Sequence, residues 1–167
     1  MSALITKGSV LLKNAPVCEM CCTLQNLSKM GARIRCNENE IYIAYNKPLR
    51  ALEVETEVYP GFPTDLQSPM LVLLSQTEGI GVIKETIYEN RFRIVSELEK
   101  MGAKIVLRNN VAQVMGPIKL YGTTVEAREL RGNAALIMAG LVAEGKTTVC
   151  GCRYVKRGYE DICRDLR

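Results

Sequence analysis

The sequence predicts an α/β protein built from repeated units. Three observations carry that prediction. The first is an internal repeat: sliding the chain along itself by 71 residues superposes Lys13 on Lys84 and Leu27 on Leu98. The same shift lays Lys29-Met30-Gly31-Ala32 on Lys100-Met101-Gly102-Ala103 without a gap. A shift of 66 residues sets Glu78-Gly79 on Glu144-Gly145 and Arg91 on Arg157, so a third, incomplete copy follows. The second is that each copy switches between helical and strand periodicity: a strand, a helix stopped at the glycine of Met-Gly-Ala, two short strands, another strand and a second helix. Pure helix-pair or propeller repeats do not mix elements in this way. The third is bulk. With 167 residues, 47% of them hydrophobic, the chain can bury roughly two thirds of its unfolded surface in one domain over residues 1–167. The copies fall at about 8–58, 59–121 and 122–167, the last incomplete.

Each element has a local cause. Ser9–Lys13 reads as a strand, and 16–30 as a helix with Gly31 as its stop. Arg33–Cys36 and 41–45 form a hairpin across Asn37-Glu38-Asn39. Residues 60–69, with three prolines and a glycine, are a loop leading into the apolar helix 70–74, which Ser68 caps with Pro69 at its first position. Arg131-Gly132-Asn133 precedes a helix over 134–143, and 147–152 alternates as a strand.

Composition excludes several classes of function. Twenty-two Lys and Arg face 18 Asp and Glu without a single-sign run, so no nucleic-acid or membrane partner is marked. The longest apolar run, 134–143, falls short of the ~18 residues of a membrane span, and the N-terminus lacks a signal-peptide hydrophobic stretch. A cytoplasmic protein is expected. The chain has no histidine, which removes every His base and His ligand. Seven cysteines are expected to be mostly reduced core residues; Cys18, Cys21 and Cys22 form a C-x-x-C-C cluster, but no second pair stands at zinc-ribbon spacing. No metal and no cofactor are expected.

The residues that carry charge at repeat-equivalent places are the candidates for a site. Asp65 lies in a stiff turn just ahead of a helix, where the plainer reading is that it complements the helix dipole. The shift of 66, however, sets Asp65 over Arg131 while setting Arg91 over Arg157. Arg91 and Arg157 are each expected just before or within the first turn of a helix that follows a strand. If the copies gather equivalent ends on one rim, a carboxylate and three guanidiniums converge on one cleft suited to phosphates and carboxylates. The first copy offers Met20 at that position. Residues 140–147 fit the P-loop spacing G-x-x-x-x-G-K-T, but the order is reversed: the segment closes a helix and opens a strand. Nucleotide hydrolysis there is rejected. Cys150, Cys152 and Cys163 have no activating base beside them in the sequence.

The runs YPGFPTDLQSPM (59–70), ETIYENRF (85–92), ELEKMGA (97–103), ELRGNAALIMAGLVAEG (129–145) and KRGYEDI (156–162) resemble the UDP-N-acetylglucosamine 1-carboxyvinyltransferases, in order and over nearly the whole chain. That resemblance implies an inside-out α/β barrel-like domain of the enolpyruvyl transferase type, built from βαβαββ units, one of two such domains that close over the substrates. It implies transfer of an enolpyruvyl group from phosphoenolpyruvate to the 3-hydroxyl of UDP-N-acetylglucosamine, the first committed step of peptidoglycan synthesis. Asp65 then resembles the carboxylate that contacts the sugar hydroxyl and accepts its proton. Arg91, Arg131 and Arg157 resemble the arginines that contact phosphoenolpyruvate, and Ile87 a residue lining the nucleotide-sugar site. Glu129 stands where the family usually has Asp, and Gly132-Asn133 replaces a small-residue pair, so that corner differs. The family's reactive-cysteine loop and catalytic lysine belong to the other domain, so the chain alone is expected to be inactive. The alternatives are a half-protein working with a partner chain and a non-catalytic paralogue that binds a nucleotide sugar or anion. RNA 3′-phosphate cyclases share related units but use a histidine nucleophile, which this chain lacks.

Overall fold

A computed structural model describes residues 1–166. A short helix α1 (Ser2–Ile5) leads into β1 (Ser9–Lys13), α2 (Cys21–Lys29), β2 (Arg33–Cys36) and β3 (Glu40–Ala44). Next come β4 (Glu53–Glu55), α3 (Gln67–Leu74), β5 (Gly79–Lys84), α4 (Val95–Lys100), β6 (Lys104–Arg108) and β7 (Val111–Gly116). Then follow β8 (Thr124–Glu126), α5 (Leu130–Gly140), β9 (Thr148–Cys150) and α6 (Ile162–Asp165). Among the described residues these strands form three sheets, of order β1-β3-β2, β4-β5-β7-β6 and β8-β9.

The repeat extends to hydrogen-bond register. Ala44 of β3 stands opposite Ser9 and Arg33, and Met115 of β7 stands opposite Ile80 and Lys104, which are the same positions moved on by 71. β4 and β5 are parallel and joined through α3; β8 and β9 are parallel and joined through α5. Parallel neighbours need such a crossover. From β4 to β8 the offset is 71, whereas from the end of β5 to the end of β9 it is 66. The difference falls between β4 and α3, so the loop that carries Asp65 is longer in the second copy than its counterpart in the third.

The layers are inverted relative to a sheet covered by helices. Met70, Leu71, Val72, Leu73 and Leu74 of α3 are all fully buried, as a helix that is apolar on every side must be. It packs against α5, where Ala135, Leu136 and Ala139 are buried too, and against β5 and β7. The sheets lie outside. In β7, Ala112 and Val114 face the helices while Gln113 and Met115 face solvent, the alternation of a sheet wetted on one side. This is the inside-out α/β arrangement.

Several local expectations need correction. α2 begins at Cys21 rather than at 16, because 17–20 wind as tight turns, with the Cys21 amide donating to the Cys18 carbonyl at 3.4 Å and no side chain capping the helix. Gly31 does stop it, at φ +104°, and Gly102 stops α4 in the same way at φ +96°. Ser68 is not a cap: a 3₁₀ turn, Thr64–Leu66, feeds straight into α3, and the buried Ser68 hydroxyl donates to Gln67 Oε1. α5 begins at Leu130 rather than 134, since Glu129 caps it. The cysteines are not core residues. Cys22 is half-buried and the other six are exposed, because the start of α2 and the outer positions of β2 and β9 face solvent.

Candidate functional site

Asp65 sits in the middle of the 3₁₀ turn Thr64–Leu66, at the mouth of α3. Its Oδ1 accepts hydrogen bonds from Arg91 Nη2 at 2.9 Å and from Arg131 Nε at 2.8 Å. Arg91 opens the 3₁₀ turn Arg91–Ile94, aimed by Asn90 in the left-handed region at φ 54°. Arg131 lies in the first turn of α5, in the third copy. Asp65 therefore spends its oxygen on the arginines rather than on the amides of α3, and the helix-capping reading is set aside. The hydrogen bond from Arg131, followed by the charges of Arg131 and Arg91, holds the Asp65 carboxyl below the usual aspartate range against the opposing effect of burial. The same bond raises Arg131. Among the described residues Asp65 Oδ2 accepts no hydrogen bond. Asp65 keeps 59% of its side-chain surface exposed, Arg131 38% and Arg91 14%.

Glu129 has a different task. Its Oε1 accepts from the Gly132 amide at 2.6 Å and its Oε2 from the Arg131 amide at 3.3 Å, so it fixes the turn from which Arg131 projects.

A second carboxylate supports the first. Glu85, only 2% exposed, directly follows β5. Its Oε1 accepts from Thr56 Oγ1 and from the amides of Ile87 and Tyr88, and its Oε2 from Thr64 Oγ1 at 2.9 Å. One buried side chain thus ties the residue before Asp65 to the end of β4 and to the loop leading to Arg91. Such a group is tolerable in a core because it is fully hydrogen-bonded.

Beside the carboxylate lies a cavity of about 340 Å³ lined by Glu19, Tyr59, Asp65, Ile87, Tyr88 and Arg131, among others. Ile87, 37% exposed, presents an apolar wall to it. The Arg91 guanidinium lies 5.1 Å from the centre of the Tyr88 ring, and its Nε is buried without a hydrogen-bond partner among the described residues. A half-satisfied arginine and an exposed one, both leaning on a carboxylate, suit an anionic ligand that competes for them.

Arg157 departs from expectation. It closes the 3₁₀ segment Cys152–Arg157 instead of opening a helix, and α6 starts only at Ile162. The extra 3₁₀ turn after Gly151 displaces the equivalence with Arg91. Among the described residues Arg157 forms no hydrogen bond or ion pair, whereas Asp65, Arg91 and Arg131 are joined by hydrogen bonds. Residues 140–147 do close α5 and lead to β9, with Gly145 at φ +89°. Among the described residues no group of three or more His, Cys, Asp and Glu is arranged to hold a metal ion, and no helix is long and apolar enough to cross a membrane.

Sequence reasoning missed Glu85, Tyr88 and Glu19. Glu85 matches Asn14 and Gly151 under the two shifts, so the repeat gives it no signal; only its place at the end of an apolar strand, before Thr-Ile-Tyr, could have marked it.

The inverted α/β frame is that of the enolpyruvyl transferases. Residues 1–166 match the model of the family described as EPSP synthase (3-phosphoshikimate 1-carboxyvinyltransferase), and the chain belongs to that family. Within it, the chain is 42% identical over 162 residues to the UDP-N-acetylglucosamine 1-carboxyvinyltransferase of Desulfosudis oleivorans, an alignment covering 97% of this chain and 39% of that one. It is 39% identical to the protein of the same name from Desulfofundulus thermocisternus, covering all of this chain and 69% of that one. The enolpyruvyl transferase NikO from Streptomyces tendae shares its structure with a TM-score of 0.87 at 28% identity, over 99% of this chain and 41% of that one. The chain thus spans about 39% of the length of most of the relatives compared.

Proposed function

We propose that this chain supplies part of the site of an enzyme that transfers an enolpyruvyl group from phosphoenolpyruvate to the 3-hydroxyl of UDP-N-acetylglucosamine, in the cytoplasm, at the first committed step of peptidoglycan synthesis. The observation that carries the reading is Asp65 held between Arg91 and Arg131 at 2.9 and 2.8 Å beside a cleft. Asp65 Oδ2 is the proton acceptor: the hydroxyl gives its proton as its oxygen attacks C2 of phosphoenolpyruvate. A carboxylate clasped by two arginines is a weak base at rest, and it gains strength once the arginines turn to the substrate. Arg91 and Arg131 bind the carboxylate and phosphate of phosphoenolpyruvate and stabilise charge as it develops there. Arg157 joins them in contacting phosphoenolpyruvate. Ile87 packs against the nucleotide sugar, and Glu129 holds the start of α5 so that Arg131 points inward. The remaining groups come from the other domain of the enzyme, without which this chain does not turn over.

The test is phosphate release from phosphoenolpyruvate in the presence of UDP-N-acetylglucosamine. This chain is assayed alone and mixed with a separately made segment of a UDP-N-acetylglucosamine 1-carboxyvinyltransferase covering the part this chain lacks. Activity is expected only in the mixture, with kcat falling about 10²–10⁴-fold for Asp65→Asn. Two folded partners that stay silent together would instead favour a paralogue that binds without reacting.

A further inference from the structure

The transfer reaction leaves one sequence motif unused, and the structure places it on the wall of the cleft. Cys18, Glu19, Met20 and Cys21 form the turn that enters α2, and both cysteines are exposed. The Cys21 amide donates to the Cys18 carbonyl at 3.4 Å, which closes the turn. A turn closed in this way holds its end Cα atoms within about 7 Å. Disulfides span Cα separations of about 4.4–6.8 Å, so the backbone already stands near bridging geometry. The Cys21 thiol folds back over the same turn, donating to the Val17 carbonyl at 3.6 Å. Cys22, the neighbouring thiol, points elsewhere and accepts from Asn26 Nδ2 at 3.6 Å.

The turn also lines the site. Glu19, between the two cysteines, borders the cavity that holds Asp65, Tyr88 and Arg131. Cys21 and Cys22 border an adjoining cavity of about 790 Å³ together with Val58, Tyr59 and Ile87, and the two cavities share Tyr59 and Ile87.

We propose that Cys18 and Cys21 are a reversible dithiol–disulfide site, oxidised by a low-molecular-weight disulfide of the glutathione class, and that the bridge resets the cleft wall formed by Glu19 and Ile87. The Cys21 thiol is already engaged by a carbonyl, so the Cys18 thiolate attacks first. It forms a mixed disulfide and expels one small thiolate. The Cys21 thiolate then attacks the Cys18 sulfur, closes the protein disulfide and expels the second small thiolate, while the two cysteine protons pass to solvent. Two electrons move from the cysteines to the small disulfide, and excess small thiol reverses every step. This site stands whether or not the transfer reaction does.

The experiment equilibrates the full chain with glutathione mixtures from fully reduced to fully oxidised, traps free thiols by alkylation, and maps the linked peptides by mass spectrometry. The expected result is the loss of two alkylatable thiols with a Cys18–Cys21 link, unchanged in Cys22→Ser and abolished in Cys18→Ser and in Cys21→Ser. The Ile87 methyl resonances shift on oxidation of the wild-type chain and do not shift in Cys21→Ser. A chain that only accumulates glutathione on separate cysteines, or whose link joins other cysteines, overturns the proposal. So does a Cys18–Cys21 link that leaves the Ile87 resonances in place.

Discussion

One oxygen of Asp65 serves two guanidiniums, and the sign of its titration follows from that. Its folded pKa is depressed, so the clasp is complete above the ordinary aspartate range, near ~3.9, and is lost as pH falls through the lower folded value. Carbon-detected NMR of the side-chain carboxyl should give a midpoint below ~3.9, moving up toward it in Arg131→Gln. The gain in stability stays within the ~0–1 kcal/mol of solvent-screened pairs, because Asp65 is 59% exposed. The repeat offset that lays Asp65 over Arg131 marked both as polar groups at equivalent places; that they bond one another is visible only in the structure. Glu85 was not: a buried acid that binds hydroxyls and amides has no periodicity and no charged partner to betray it. Glu129 stood out only as a departure from the Asp usual in the resembled family, and its capping geometry shows what it does.

At the scale of the element, α3 carries the core. Five successive side chains from Met70 to Leu74 are fully buried, each worth about 1.5–3 kcal/mol of transfer free energy. Leu73→Ala should therefore cost about 2–5 kcal/mol, read as a fall in the urea midpoint with little change in slope. The apolar run announced a buried helix, and Gly31 and Gly102 announced where α2 and α4 stop. Helix starts were less legible. Ser68 has the composition of a cap, yet the 3₁₀ turn ahead of it extends the helix past it and buries it. At α5 the cap is Glu129, a residue less common in that role than Asp or Ser, so the start was placed too late.

The whole molecule is two hairpin sheets in matching register and a third, parallel pair, with α3 packed on the second sheet, α5 on the third and the two helices on each other. That copies exist could be seen in the sequence; how they surround the helices could not, because periodicity says which face is apolar but not which sheet it meets. Burial implies a gradient of local stability. Hydrogen exchange of the native chain should find the amides of Leu73 and Ile83 slowest, and those of the exposed helix α6 faster by several orders of magnitude; uniform protection would contradict this packing. The clasp at Asp65 also joins the second copy to the third through a single oxygen. An anion that draws Arg131 to itself strips the carboxylate of its compensating charge and raises its affinity for a proton. Anion uptake and proton uptake are then reciprocally linked, each favouring the other, so an arriving negatively charged ligand itself converts Asp65 from a weak base into a stronger one.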